Sequence, residues 1–262
     1  MKKIKVIVAT HKKYQMPKDI AYVPVQVGSE GKESLGYTRD NEGENISEKN
    51  PYFCELTGLY WAWKNLDCEY IGLAHYRRHF AGSNRIPKEE NKKFDCILSN
   101  ENIEKILENT DIILPKKRKY YIENLYSHYA HTMHIEPLDE ARNIIQEKYP
   151  DYIQEFDKLH QRTSAHMFNM FIMKKEVLNK YCEWLFDILF ELEKRIDPKQ
   201  YDAFHARYPG RISELLLDVW INTNKLSYEE VKLMDMQNVN WLKKGTSFLK
   251  AKFLKKKYSK SF

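Results

Sequence analysis

The chain reads as an α/β protein on three observations: short β-branched runs recur along it, amphipathic helical stretches alternate with them, and two strands open directly into clusters of positive charge. Its 262 residues fit one α/β domain, or one domain with a small appendage, and are enough to bury a sizeable core. A hydrophobic fraction of 42% beside 31% charged residues fits a folded globular chain and excludes low-complexity and collagen-like classes. The formal net charge of +6 suits an anionic partner: nucleic acid, a diphosphate or a lipid surface. Tyr 18, Phe 12 and Trp 5 supply flat faces that serve sugars and bases as well as a core.

Residues Ile4 to Ala9 form a buried first strand that delivers Thr10, His11 and Lys12 to its carboxyl end, the edge where open α/β sheets bind ligands. The apolar stretch there is too short for a signal peptide. A second strand, Tyr22 to Val27, stops at Gly28. The segment from Ser29 to Lys49, rich in Gly, Glu, Asn and Asp, is a long loop of the kind that carries function. Asn50 and Pro51 predict a capped helix start, and the helix runs to about Asn65. Phe53, Leu56, Leu59, Tyr60, Trp61 and Trp63 leave it almost no polar face, so Glu55 inside it needs a partner.

The strand Tyr70 to Ala74 opens into His75, Tyr76, Arg77, Arg78 and His79. A short helix spans Asn100 to Asn109, and a strand from Asp111 to Leu114 ends in Pro115 and then Lys116, Lys117, Arg118 and Lys119. Tyr120 to His134 is aromatic and histidine-rich; Leu138 to Lys148 is helical, Phe168 to Met173 a strand, Glu176 to Arg195 a long amphipathic helix, and Ser213 to Asn222 a further helix after Gly210. From Trp241 onward lysines alternate with Leu and Phe. This basic amphipathic tail, residues 241–262, suits the interface of an anionic membrane, and a solvated charged tail fits the pattern equally.

Cys54, Cys68, Cys96 and Cys182 are too scattered for a zinc site or a redox pair, which points to a reducing, cytoplasmic compartment. No uncharged run approaches the roughly 18 to 20 residues needed to cross a bilayer, so membrane contact, at the inner face of the cell membrane, would be peripheral.

Arg77 and Arg78 offer planar, multi-donor groups suited to phosphate oxygens, with Lys116 and Lys117 as added point charges. The alternative is that one arginine pairs with a carboxylate such as Glu55 while the other is solvated. His128, His131 and His134 lie three apart but lack an acidic or cysteine ligand at a recognisable spacing, so hydrogen bonding to a ligand, or an ordinary loop role, is preferred to metal. Asp95 and Asp111 are isolated and no Asp-x-Asp follows an apolar strand, so no metal ligands are assigned and arginine is expected to neutralise phosphate charge. Glu214 and Asp218, four apart beside Arg211, are candidates for a general base or for helix-start carboxylates facing their own dipole. The phosphate-loop, nucleophile-elbow and His-Glu-x-x-His motifs are missing, against the commonest triphosphatase, serine hydrolase and zinc protease classes.

The string DNEGENISEKNPYFCELTGLYWAWKN followed by GLAHYRRHF, with THK, PVQVG, FNMFIM and RISELLLDVW around it, resembles a bacterial family first catalogued as a domain of unknown function and found among capsular and exopolysaccharide biosynthesis proteins. The resemblance runs from about Ile4 to Ser227. It implies a GT-A-like glycosyltransferase, an α/β sandwich with a mixed, mostly parallel central sheet over residues 1–240, using a nucleotide-diphosphate sugar. Some relatives are galactofuranosyltransferases, which makes UDP-galactofuranose the leading donor and an oligosaccharide or lipid-linked chain the acceptor. The HYRR cluster stands where other enzymes of this fold carry their metal-binding Asp-x-Asp, leaving a need for Mn or Mg open.

The mechanism so implied is displacement with inversion, Glu214 deprotonating the acceptor while Arg77, Arg78 and Lys116 stabilise the departing diphosphate. Thr10, His11 and Lys12 are expected to border the nucleoside, and Asp40, Asn41, Asn45 and Asn50 to form the polar approach to the donor sugar. Tyr126, His131 and Asn169 are expected to close the other side, with His75 and Arg211 joining the donor-binding set. The rival classes are a noncatalytic sugar-binding or assembly subunit at the membrane and a nucleic-acid module; no reader motif supports the latter, and no nucleic-acid partner is expected.

Overall fold

The computed structural model describes residues 2–83 and 85–237, so the basic tail with its expected membrane contact lies outside the described residues. The strands are β1 (Ile4–Thr10), β2 (Tyr22–Gln26), β3 (Thr38–Arg39), β4 (Tyr70–His75), β5 (Arg78–Ala81), β6 (Ile112–Pro115), β7 (Arg118–Lys119), β8 (Ser164–Ala165), β9 (Phe171–Lys174) and β10 (Glu229–Asp235). The α-helices are α1 (Asn50–Phe53), α2 (Leu56–Asn65), α3 (Glu90–Lys93), α4 (Asn100–Ile106), α5 (Leu125–Thr132), α6 (Glu136–Lys148), α7 (Ile153–Gln161), α8 (Lys175–Arg195) and α9 (Tyr208–Thr223). Two compact units are built from them: residues 2–116, Phe168–Glu183 and 226–237 form the first, Lys117–Met167 and Trp184–Lys225 the second.

The first unit holds an eight-stranded sheet in the order β3-β2-β1-β4-β5-β10-β6-β9, with β4 also pairing β9. It is mixed, as expected, but not mostly parallel. The β1–β2, β1–β4, β2–β3 and β6–β10 pairs are parallel, whereas β4–β5, β5–β10, β4–β9 and β6–β9 are antiparallel, because β5 and β9 both run back against β4. β1 and β4 are apolar almost throughout, since both their faces are covered. Leu56, Leu59 and Ala62 of α2 are fully buried, and Ile103 of α4 joins Val6, Val8, Ala74 and Ile172 in one cluster. Gly72 lets β9 close on β4, for a Cβ there would stand 2.9 Å from Ile172 and 3.1 Å from Val6.

The single helix expected from Asn50 to Asn65 is two, because Cys54 adopts φ 54°, ψ −131° and interrupts the hydrogen-bond ladder. Asn50 does not cap from outside. It is the first residue of α1, and its Nδ2 donates to the Cys54 carbonyl (2.7 Å) and to Thr57 Oγ1 (3.2 Å), so the polar groups freed by the break are satisfied locally.

In the second unit α7 packs against α5, α6 and α9. Ile144 and Ile145 of α6, Phe156 and Leu159 of α7, and Ile212, Leu216 and Val219 of α9 are buried, and Tyr152 stacks on Trp184 at 4.9 Å. Helix α9 begins five residues before Ser213 with Pro209 in its first turn, where a missing N–H costs nothing; Gly210 lies inside the helix instead of bounding it.

Candidate active site

β1 and β4 are parallel neighbours with Ala9 opposite His75, so the THK and HYRR segments leave the sheet side by side at one carboxyl edge. Tyr76, 2% exposed, is the hub. The rings of His75, Tyr14 and His11 lie 4.6, 5.1 and 5.4 Å from it, and Lys12 Nζ and Arg77 Cζ are 5.3 and 5.4 Å from its centroid. The ring's electron-rich face helps to hold cations that would otherwise repel one another. Thr10 is turned inward: its hydroxyl donates to the Lys12 carbonyl (2.7 Å) and accepts from the Lys12 amide (3.3 Å), closing the strand-end turn and leaving His11 and Lys12 exposed.

His75 Nδ1 accepts from the Arg77 amide at 3.4 Å. Its pKa is pushed down to about 2, first by burial and then by the charges of Arg78 and Arg77, so the ring is neutral in a positive field. The two arginines differ. Arg78 Nε donates to Asp235 Oδ1 at 3.1 Å, and its guanidinium lies 4.2 Å from the Phe168 ring centroid. Arg77 Nε is buried without a hydrogen-bond partner among the described residues. A carboxylate that pairs with one of the two arginines is thus Asp235 of β10. Lys116 follows β6, its amide bonded to the Val231 carbonyl and its side chain exposed. β4 and β6 both run antiparallel to β9, which brings Lys116 to the same sheet edge as His75.

Strained backbone lies at this edge. Phe168 (φ 76°) and Asn169 (φ 54°) are left-handed just ahead of β9, a conformation costly for an aromatic residue. Asn169, 2% exposed, donates Nδ2 to Glu55 Oε1 at 2.8 Å, so the helix break at Cys54 and the left-handed pair are tied together. Glu55 thereby has the partner its surroundings require.

The residues expected to form the polar approach to a sugar hold their own loop instead. Asp40, fully buried, accepts from the Gly28 amide (2.8 Å), the Ser29 amide (3.0 Å) and the hydroxyls of Ser29 (2.9 Å), Ser47 (2.5 Å) and Thr57 (2.6 Å). No lone pair is left for a ligand, which corrects the expectation for this residue. Asn41 Oδ1 accepts from Ser29 Oγ and its Nδ2 donates to Glu30, while Asn45 Oδ1 accepts from the Ser47 amide and its Nδ2 donates to the Gly43 carbonyl. Asn50 fills the space beside Gly28, where a Cβ would come within 2.3 Å of its Oδ1.

Tyr126, His131, Arg211 and Glu214 all belong to the second unit. Tyr126 donates its hydroxyl to Asp139 Oδ1 at 3.0 Å. Glu123, with its side chain 5% exposed, joins His128 Nδ1 (3.0 Å) and His131 Nδ1 (2.8 Å). Burial is the main reason the His128 pKa falls to about 4, against the opposing pull of Glu123. His134 lies beyond α5, its ring 4.6 Å from that of His205. Glu214, 7% exposed, is 3.7 Å from Arg211, whose guanidinium lies 5.6 Å from the Phe204 ring centroid. Asp218 accepts from both the backbone amide and ring Nδ1 of the fully buried His166.

The family model for a domain of unknown function, DUF4422, matches residues 5–225. The chain belongs to the DUF4422 family. Among solved structures this DUF4422 chain is similar to the apo structure of WbbM, a bifunctional glycosyltransferase, with a TM-score of 0.82 and 32% sequence identity over 90% of this chain and 46% of that one. It thus spans about half the length of WbbM. No curated protein matches it.

Three residues of this DUF4422 chain, Asp235 and His79 in the first unit and Glu123 in the second, escaped sequence reasoning. Asp235 lies 157 positions from its arginine, and no local pattern announces it. Glu123 stands immediately before the N-cap Asn124, outside the helical spacing that drew attention to the histidines. His79 was noticed only as part of the basic cluster, whereas it is fully buried in β5 with neither ring nitrogen hydrogen-bonded. Burial pushes its pKa down to about 3. The unfolded chain, with an ordinary value of about 6.5, then binds the proton more readily, so stability is complete above that pH and is lost as pH falls toward 3, at up to about 1.4 kcal/mol per unit. Urea unfolding of this DUF4422 chain at pH 7.5 and 5.0 should show the loss, and His79→Phe should reduce the slope by its own share, since His75 and His128 contribute in the same direction.

Proposed function

We propose that the chain is a GT-A-type glycosyltransferase that moves a sugar from a nucleotide-diphosphate donor, UDP-galactofuranose foremost, onto a lipid-linked or growing surface polysaccharide, with inversion. The observation that carries this reading is the cationic cluster at the β1 and β4 carboxyl edge, in which Arg77 keeps a buried N–H without a partner among the described residues. The likeness to a bifunctional glycosyltransferase supports the reaction class. The work is placed on the cytoplasmic side, at the inner face of the membrane.

In the proposed reaction the acceptor oxygen bonds to the anomeric carbon as the bond from that carbon to the diphosphate breaks. The acceptor proton passes to Glu214, and the charge appearing on the diphosphate is met by Arg77, Lys12 and Lys116, with His11 bordering the nucleoside. Arg78, held by Asp235 and Phe168, shapes the turn that presents Arg77. One observation favours a second candidate for the base: Glu55 shares the arginines' unit and is bonded to Asn169.

Thermal-shift titration with UDP and UDP-sugars, with and without Mn²⁺, tests the donor, since a ligand that binds only the folded state raises its stability. Transfer assays on Glu214→Gln and Glu55→Gln test the base. The variant lacking the base should lose roughly 10²- to 10⁴-fold in kcat while still binding UDP. Parent-like rates in both would remove both carboxylates from the role.

A further inference from the structure

The second unit carries an apolar surface that the proposed chemistry does not use. Between β7 and α5, Tyr121 and Ile122 are 88% and 60% exposed. The segment presenting them is built in at both ends. Arg118 and Lys119 pair with Ala165 and Ser164, the Tyr120 amide donates to the Thr163 carbonyl (2.7 Å), and the Leu125 amide donates to the Arg162 carbonyl (2.9 Å). The Tyr120 ring lies 4.3 Å from the His128 ring and 4.9 Å from the Arg118 guanidinium. The polar side chains that follow have internal partners: Glu123 meets His128 and His131, while Asn124 bonds the Ser127 amide and Gln161. With Glu123 withdrawn, the outward face of the loop is a tyrosine, an isoleucine and the exposed Lys119, while Arg162, which follows α7, has Glu155 3.9 Å away.

We infer that this loop is a docking surface for an anionic lipid bilayer. Each component has a place there. Cations are drawn to the negative headgroup potential, a tyrosine ring is at ease at headgroup depth, and an isoleucine side chain gains by reaching the acyl boundary. The charge is what selects lipid over carbohydrate: a sugar would stack on Tyr121 but needs paired donors and acceptors for its hydroxyls, and the loop's carboxylate, Glu123, is already taken by His128 and His131. No helix among the described residues is long and apolar enough to cross a membrane. The lysine-rich segment after Trp241 supplies charge of the same sign in the sequence, and lasting attachment of a peripheral protein usually takes two such signals.

Sedimentation of the full chain with vesicles of phosphatidylcholine, alone or mixed with phosphatidylglycerol, tests the inference. The parent should bind the mixed vesicles and ignore the neutral ones. Changing Tyr121→Ser and Ile122→Ser together should weaken binding about tenfold or more with melting temperature unchanged, because both side chains are already exposed. Lys119→Glu should weaken binding at low salt and matter less at high salt. The inference fails if the parent does not bind anionic vesicles, or if the double variant binds as the parent does, which would leave attachment to the tail. It also fails if the double variant keeps vesicle binding and loses affinity for an oligosaccharide acceptor, the result for a sugar platform.

Discussion

Replacing Asp40 by alanine is expected to cost about 3–5 kcal/mol of stability, from several buried donors left unsatisfied at about 1–3 kcal/mol each. The change strands the amides of Gly28 and Ser29 and the hydroxyl of Ser47, whereas the hydroxyls of Ser29 and Thr57 can turn to Asn41 Oδ1 and the Cys54 carbonyl. Each stranded donor would be left in a place that water reaches poorly. In a chain of this size the loss corresponds to a fall of roughly 10 °C in melting temperature, and calorimetry of the variant checks it. Asp40→Asn is the informative control. It keeps the volume but turns an NH₂ toward donors, so it should recover little. Limited proteolysis should then cut between Ser29 and Lys49, the stretch whose folding depends on that carboxylate.

Arg77→Ala is expected to weaken UDP binding about 10- to 100-fold, the range for losing a hydrogen bond to a charged group, with melting temperature little changed because its Nε serves no protein acceptor. Arg78→Ala should do the reverse. Its guanidinium is engaged by Asp235 and Phe168, so stability falls more than affinity. Isothermal titration with UDP beside thermal melts of the two variants separates the roles. Equal affinity losses in both would mean that the pair acts as one clamp, as their adjacency in sequence suggests.

What the sequence disclosed and what it hid follow from the range of the interactions involved. The runs Ile4–Ala9 and Tyr70–Ala74 are legible as strands because burial on both faces demands continuous apolar side chains, and their basic ends follow by adjacency. That the two ends meet depends on strand order, which no local pattern fixes. β5 and β10 were missed for a related reason. β5 is four residues beginning in Arg78, and β10 alternates around charged side chains, so neither carries a strong apolar signal. The break at Cys54 was hidden inside a helical apolar pattern that continues on both sides of it. Asp40 was misjudged because an acidic residue in a polar loop looks exposed; only the convergence of Gly28, Ser29, Ser47 and Thr57, up to 17 positions away, reveals a buried keystone.

The left-handed pair ahead of β9 also limits which amino acids those two positions accept. Asparagine enters this region of backbone space more readily than other side chains apart from glycine, so a saturation library at 169 selected for folding should return Asn, Gly and Asp and few β-branched residues. Position 168 faces a conflict: glycine would relieve the torsional cost yet strip the Arg78 guanidinium of its aromatic neighbour. Retention of phenylalanine there against that easier choice would mean that selection has favoured a fixed arginine over a comfortable backbone.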